Sequence, residues 1–403
     1  MATPWVTAAG CRYWPHDGLS NDCLPAELPD KLARHELLQA TWEGIDSHQL
    51  WDCHTHLVGV GDSASGIHIN PQMRSLWHPL QYLQFKFYLG ASCALSAEAS
   101  TIDQGVVLRL LELQRELPGG YRSMLLAFDY FHDEQGNPDP AKSPFAVPDK
   151  YARETAQQHP QSFEWIASIH PYRKDAVSAL DDAVSRNARA VKWLPSVMGI
   201  DASNPRCDAF YAALVKHDIP LLTHAGEEQA VNSGSRRAYN NPLLMRRALE
   251  HGVKVIFAHC ATLGESVDLD KGEHGPEVAN FDLFTRLMEE VSWEKQVFGD
   301  ISAVTQVNRD RWMIERIVQA DEWHERLLFG TDYPLPAVIP LYSPQNFVDW
   351  GMLTESQGNV LVEVRRYNPL LFDVMLKRLI RVKGKQLSHR VFETRRHFLK
   401  TTA

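Results

Sequence analysis

The chain has 403 residues, 44% hydrophobic and 23% charged, an ordinary balance for a globular protein that buries a sizeable core. Its formal charge of −9 argues against general nucleic-acid binding, which calls for a basic surface. No apolar run approaches the roughly 18 residues of a membrane span, so no membrane partner is expected.

Residues 1–48 read as a leader, rich in prolines and aromatics, that packs against the domain of residues 49–403. Its start lacks a basic stretch followed by an apolar one, so no export signal is read. The six cysteines (Cys11, Cys23, Cys53, Cys93, Cys207, Cys260) contain no CxxC pair and no disulfide-like framework. Together these features predict a reduced, cytoplasmic chain. Cys53 and Cys260 read as small buried apolar residues.

A first apolar run spans residues 50–56 (LWDCHTH), and a long insertion follows at about residues 58–102. The insertion carries Trp77, Tyr82, Phe85 and Phe87, too many aromatics for a solvated loop. It is either a helix packed on the domain or on a second subunit, or a lid that walls an apolar substrate pocket. Seven more apolar runs follow, at residues 123–130, 165–170, 188–194, 220–224, 254–259, 297–302 and 327–332. Continuous apolar runs suit parallel strands covered on both faces.

Segments of helical periodicity, such as residues 103–117, 174–187, 208–217 and 242–251, alternate with the runs. Strand–helix alternation repeated eight times predicts an α/β fold, a (β/α)8 TIM-type barrel. A doubly wound open sheet is the alternative, but it leaves unexplained why so many runs end in polar residues. The tail, residues 375–403, is expected to be helical. Between Lys377 and Lys400 nine Lys or Arg face one acid, Glu393, which predicts a solvated amphipathic helix or a subunit contact.

The polar run ends carry the chemistry. His54 and His56 are two apart in a strand and face the same side. Two imidazoles converging from one strand end are natural ligands for Zn2+ or a similar divalent ion. The fifth run ends at His224, the sixth at His259 and the eighth at Asp332, all at the C-terminal end of the barrel, where active sites of this fold assemble. Lys192 stands near the end of the fourth run. Glu227 or Glu228, just past His224, is a candidate ligand or substrate contact; weaker candidates are His170 and Asp300, which end strands and would orient ligands through outer hydrogen bonds. Asp52 reads as structural.

This order of motifs resembles the amidohydrolase superfamily over residues 48–335. The stretches Pro220-Leu221-Leu222-Thr223-His224-Ala225-Gly226-Glu227 and Phe329-Gly330-Thr331-Asp332-Tyr333-Pro334 look most like the amidohydrolase-related subgroup that includes aminocarboxymuconate-semialdehyde decarboxylase. The resemblance implies that His54, His56, His224, His259 and Asp332 hold metal. In dihydroorotase-like members a lysine in the context of Lys192 becomes a carbamate bridging two ions, whereas decarboxylase-like members generally lack it and hold one. Lys192 therefore pulls against the subgroup: it bridges metals as a carbamate, or pairs with substrate, or stands apart.

The expected activity is metal-dependent hydrolysis of an amide, lactone or ester of a small molecule. Asp332 would serve as ligand and general base, and His259 as ligand or carbonyl polariser. The alternatives are a one-ion non-oxidative decarboxylase of an aromatic or unsaturated acid and, in another class, a non-catalytic metal-stabilised binding protein. Homo-oligomerisation is compatible with such a barrel.

Overall fold

The computed structural model describes residues 21–95, 98–229, 231 and 236–399. The first 20 residues of the expected leader, with Cys11, lie outside them. Every apolar run forms a strand: β1 Trp51–His56, β2 Arg122–Leu126, β3 Phe163–Ile166 and β4 Val191–Trp193, then β5 Leu221–His224, β6 Val255–Ala258, β7 Val297–Asp300 and β8 Leu327–Leu328. Their residues are almost all buried, because helices cover the outer face while the strands face one another inside.

Neighbouring strands pair in parallel from β1 to β3 and from β4 to β8. A parallel bridge from Ala167 to Val191 joins β3 to β4. Between β8 and β1, Cys53 N–H donates to Phe329 O at 3.1 Å and His56 N–H to Tyr333 O at 2.9 Å. These bonds close the barrel and leave no open sheet edge, which rules out the doubly wound sheet.

The insertion forms a helix, Pro79–Ala91, over the C-terminal mouth. Its inner face sends Phe85, Tyr88 and Leu89 into a cleft above the barrel. Of the aromatics singled out in the insertion, Phe85 lines this cleft and Trp77, Tyr82 and Phe87 do not. Phe87 is 44% exposed, on the side of the helix away from the cleft, and Trp77, 91% exposed, lies before the helix begins.

The structure corrects two expectations. Cys23 and Cys93 form a disulfide that ties the leader to the end of the insertion helix. Their separation of 70 residues left no spacing signature; only the fold of the insertion brings them together. Cys53, Cys207 and Cys260 are free and buried. The tail, in turn, is no solvated helix. The helix Pro369–Leu379 is buried along its whole length, Lys377 and Arg378 included. Lys377 Nζ donates to Gly330 O at 2.8 Å and pairs with Asp373, while Arg378 bonds the carbonyls of Thr41, Leu387 and Glu43. Beyond Leu379 the described residues make short 3-10 turns and an antiparallel bridge between Val382 and Lys385, and Val391 O accepts a bond from Phe329 N–H at the β8 end. No described helix is long and apolar enough to cross a membrane.

Candidate metal centre

The parallel strands deliver their polar ends to one place. One ligand atom each from His54, His259 and Asp332 lies within 4.8 Å of the others. His56 Nε2 lies 2.8 Å from Asp332 Oδ1, and Lys192 Nζ 3.4 Å from His54 Nε2. His224 flanks His259 with ring centroids 5.4 Å apart. All six predicted ligand positions therefore converge, and all six line one cleft.

Each ring is aimed by its outer nitrogen. His54 Nδ1 donates to Asp300 Oδ2 at 2.9 Å, and His259 Nδ1 donates to the Ser302 carbonyl at 2.9 Å. Such partners fix the tautomer and leave Nε2 as a lone pair toward the centre. Asp300 also accepts from the backbone N–H groups of His259 and Ser302, so one buried carboxylate sets both rings. Burial raises the Asp300 carboxyl, but His54, His259 and the Ser302 hydroxyl outweigh it and hold it below its usual range. Asp300 thus sits where the sequence placed it, behind the ligands.

The backbone is strained where it turns the ligands inward. His259 has φ 55° and Asp332 φ 61°, left-handed conformations that are costly for side-chain-bearing residues and recur at functional sites. Asp332 is anchored by its N–H to His54 O at 2.8 Å. Asp52 accepts from the N–H groups of His54 and Thr331 at 3.0 and 2.9 Å, stapling β1 to the β8 loop, the structural role expected of it.

The electrostatics suit a cation. Burial keeps the imidazoles of His54, His224 and His259 below their ordinary pKa, His259 to about 3, so their ring nitrogens are free to bind metal. Burial raises Asp332, yet His259, His54 and the bond from His56 hold it well below the carboxylate range. Lys192 is 1% exposed, and burial lowers its pKa against the pull of Asp300 and Asp332. His224 Nε2 is buried without a hydrogen-bond partner, with Glu228 Oε2 3.6 Å away. An orphaned imidazole nitrogen beside nitrogen and oxygen donors fits a divalent ion of the zinc type.

Of the weaker candidates, Glu227 lines this cleft and His170 does not. His170 spends both ring nitrogens on the backbone: Nε2 donates to Met198 O at 2.9 Å and Nδ1 accepts from Tyr172 N–H at 3.1 Å. It lies four residues beyond β3 and stacks near His132, so it buttresses a loop and orients no ligand. Glu227 turns toward Arg237, 3.5 Å away, and it is Glu228 that faces His224. Ser302 was missed. Its hydroxyl touches Nδ1 of both His54 and His259, at 3.1 and 2.9 Å. The signal was present, since Ser302 is two residues past Asp300.

A closed barrel whose C-terminal mouth gathers neutral imidazoles and a carboxylate defines a metal-dependent TIM-barrel enzyme. The amidohydrolase family model matches residues 51–350, and the chain belongs to that family. No curated protein matches it. Among solved structures it is similar to an uncharacterised TIM-barrel protein from Bordetella bronchiseptica, 17% identical, covering 72% of this chain and 88% of that one at TM-score 0.46. It is similar also to 5-carboxyvanillate decarboxylase from Sphingomonas paucimobilis, at 12% identity, 79% and 95% coverage and TM-score 0.45. A third is 4-oxalomesaconate hydratase from Rhodopseudomonas palustris, at 12%, 79% and 92%, with TM-score 0.42.

Proposed function

We propose that the protein hydrolyses an amide, lactone or ester bond of a small organic substrate, with Zn2+ held by His54, His56, His224, His259 and Asp332. The observation that carries this reading is Lys192, buried with Nζ 3.4 Å from His54 Nε2 and depressed toward its neutral form. A neutral amine there would attack the carbon of carbon dioxide; as the N–C bond forms, one C=O π pair moves to oxygen and the nitrogen's proton passes to water, which leaves an anionic oxygen donor. Such an oxygen donor would let the site hold a second ion. When bound, the metal supplies positive charge that acidifies a water and polarises the scissile carbonyl. Asp332 accepts the proton of the attacking water and passes it to the leaving group. Burial keeps His54 and His259 neutral, and Asp300 and the Ser302 carbonyl hold the single proton of each ring on Nδ1.

Hydrolysis of a panel of aryl esters, lactones and anilides tests the reading. Turnover is expected to vanish with 1,10-phenanthroline and return with added Zn2+; turnover indifferent to the chelator overturns it. A second reading has its own support. Lys192 has no carboxylate within 4.0 Å among the described residues, so an unmodified ammonium there would suit a carboxylate substrate and one-ion decarboxylation.

A further inference from the structure

We infer that Arg309 is an anion anchor for the substrate: it holds a carboxylate that the reaction leaves in place, while the apolar body of the molecule presents its scissile bond to the metal centre. The inference rests on reading the cleft as the active site. Arg309 lies in the loop after β7 and is only 7% exposed. Nη1 donates to Asn308 Oδ1 at 2.9 Å, and Nε, also buried, has no hydrogen-bond partner. No carboxylate stands within ion-pair distance of this guanidinium among the described residues. It feels Asp332, Glu228 and Glu227 only at longer range.

A guanidinium stays charged in a protein, and an unpaired buried cation costs several kcal/mol unless something answers it. Arg309 lines the same cleft as the metal-binding candidates. The cleft is otherwise walled mainly by apolar side chains, among them Phe128, Phe145, Leu194, Val231 and Leu335. A planar fork of donors with free positions matches a carboxylate with two hydrogen bonds, and the apolar walls match a hydrocarbon or aromatic body. The loop is set in advance: Val307 N–H bonds Leu341 O at 2.9 Å, and Arg309 N–H bonds Gln306 O at 3.1 Å. Arg309 and the metal centre are separate features of one cleft. A substrate bridging them keeps its carboxylate away from the reacting atoms.

Calorimetric binding of 4-phenylbutanoate and its neutral isostere 4-phenylbutanamide to the full chain, with its purified metal, tests this. The wild type is expected to prefer the acid at least tenfold. R309Q should erase the preference, and R309K, which keeps a point charge but loses the fork, should reduce it. Should R309Q melt before binding is measured, R309K alone decides. Equal binding of acid and amide by the wild type overturns the inference, as does an undiminished preference in R309K or a folded R309Q. An undiminished preference in those variants that disappears on chelation would assign the anion to the metal instead. Because binding needs no turnover, failure of the hydrolase reading leaves this result standing, and failure of the anchor inference leaves the chelator test of hydrolysis to be read on its own.

Discussion

In the proposed reaction, ligation and proton transfer meet on Asp332. Its carboxylate lies 2.8 Å from His56 Nε2 and 3.5 Å from His54 Nε2, and its left-handed backbone turns it into the mouth. D332N keeps the shape and removes the basicity, so turnover should fall by about 10²–10⁴-fold while the melting temperature stays near the wild-type value. Near-native turnover would remove Asp332 from the mechanism. Ser302 acts at one remove, through the Nδ1 atoms of His54 and His259. S302A should weaken metal affinity by about 10–100-fold in competition with a chromophoric chelator, and an unchanged affinity would make the hydroxyl a bystander. At this scale the ligands themselves were legible, because strand alternation and strand ends place side chains without further information. His170 and Glu227 were harder to read because a strand end does not say which way a residue beyond it turns; Asp332, as far past its own strand as His170, turns inward. Their directions are set by loop contacts: the Met198 carbonyl for His170 and Arg237 for Glu227.

Among elements, the β8 loop shows how much of the site depends on segments outside the barrel strands. Gly330 packs so closely that an added Cβ would lie 2.8 Å from His54 Cβ, and its carbonyl is held by the buried Lys377. Burial raises Asp373 to about 7 even with Lys377 beside it. Breaking a buried pair by removing one partner strands the other, at about 3–5 kcal/mol. K377M should therefore lose about that much stability in urea unfolding, and D373N combined with K377M should recover part of it. A K377M protein as stable as wild type would show that the pair is not what secures the loop. The tail was misread because a count of charges does not say which face they occupy. The better signal lay just upstream: residues 369–379 are apolar around nearly the whole helix, a pattern that belongs in a core. The insertion was half legible for a related reason. Aromatic density identifies a packed helix, but only the helix's seating tells Phe85 from Phe87.

For the molecule as a whole, eight strand–helix units in order were enough to specify the barrel, because closure and right-handed connection leave few alternatives. The same closure brings side chains from the ends of β1, β4, β5, β6, β7 and β8 to one mouth, so a site scattered over 279 residues of sequence, from His54 to Asp332, becomes a single cluster only in the fold. The Cys23–Cys93 link was invisible for the complementary reason: it joins two segments that the barrel pattern does not describe. What the pattern left open was the number of ions, which turns on the state of Lys192. Native mass spectrometry with metal analysis, on protein prepared without chelator and with or without bicarbonate, answers that directly. The account predicts two zinc ions per chain and the added mass of one carbon dioxide, lost in K192M. One ion, or none, with Lys192 unmodified in bicarbonate would contradict it.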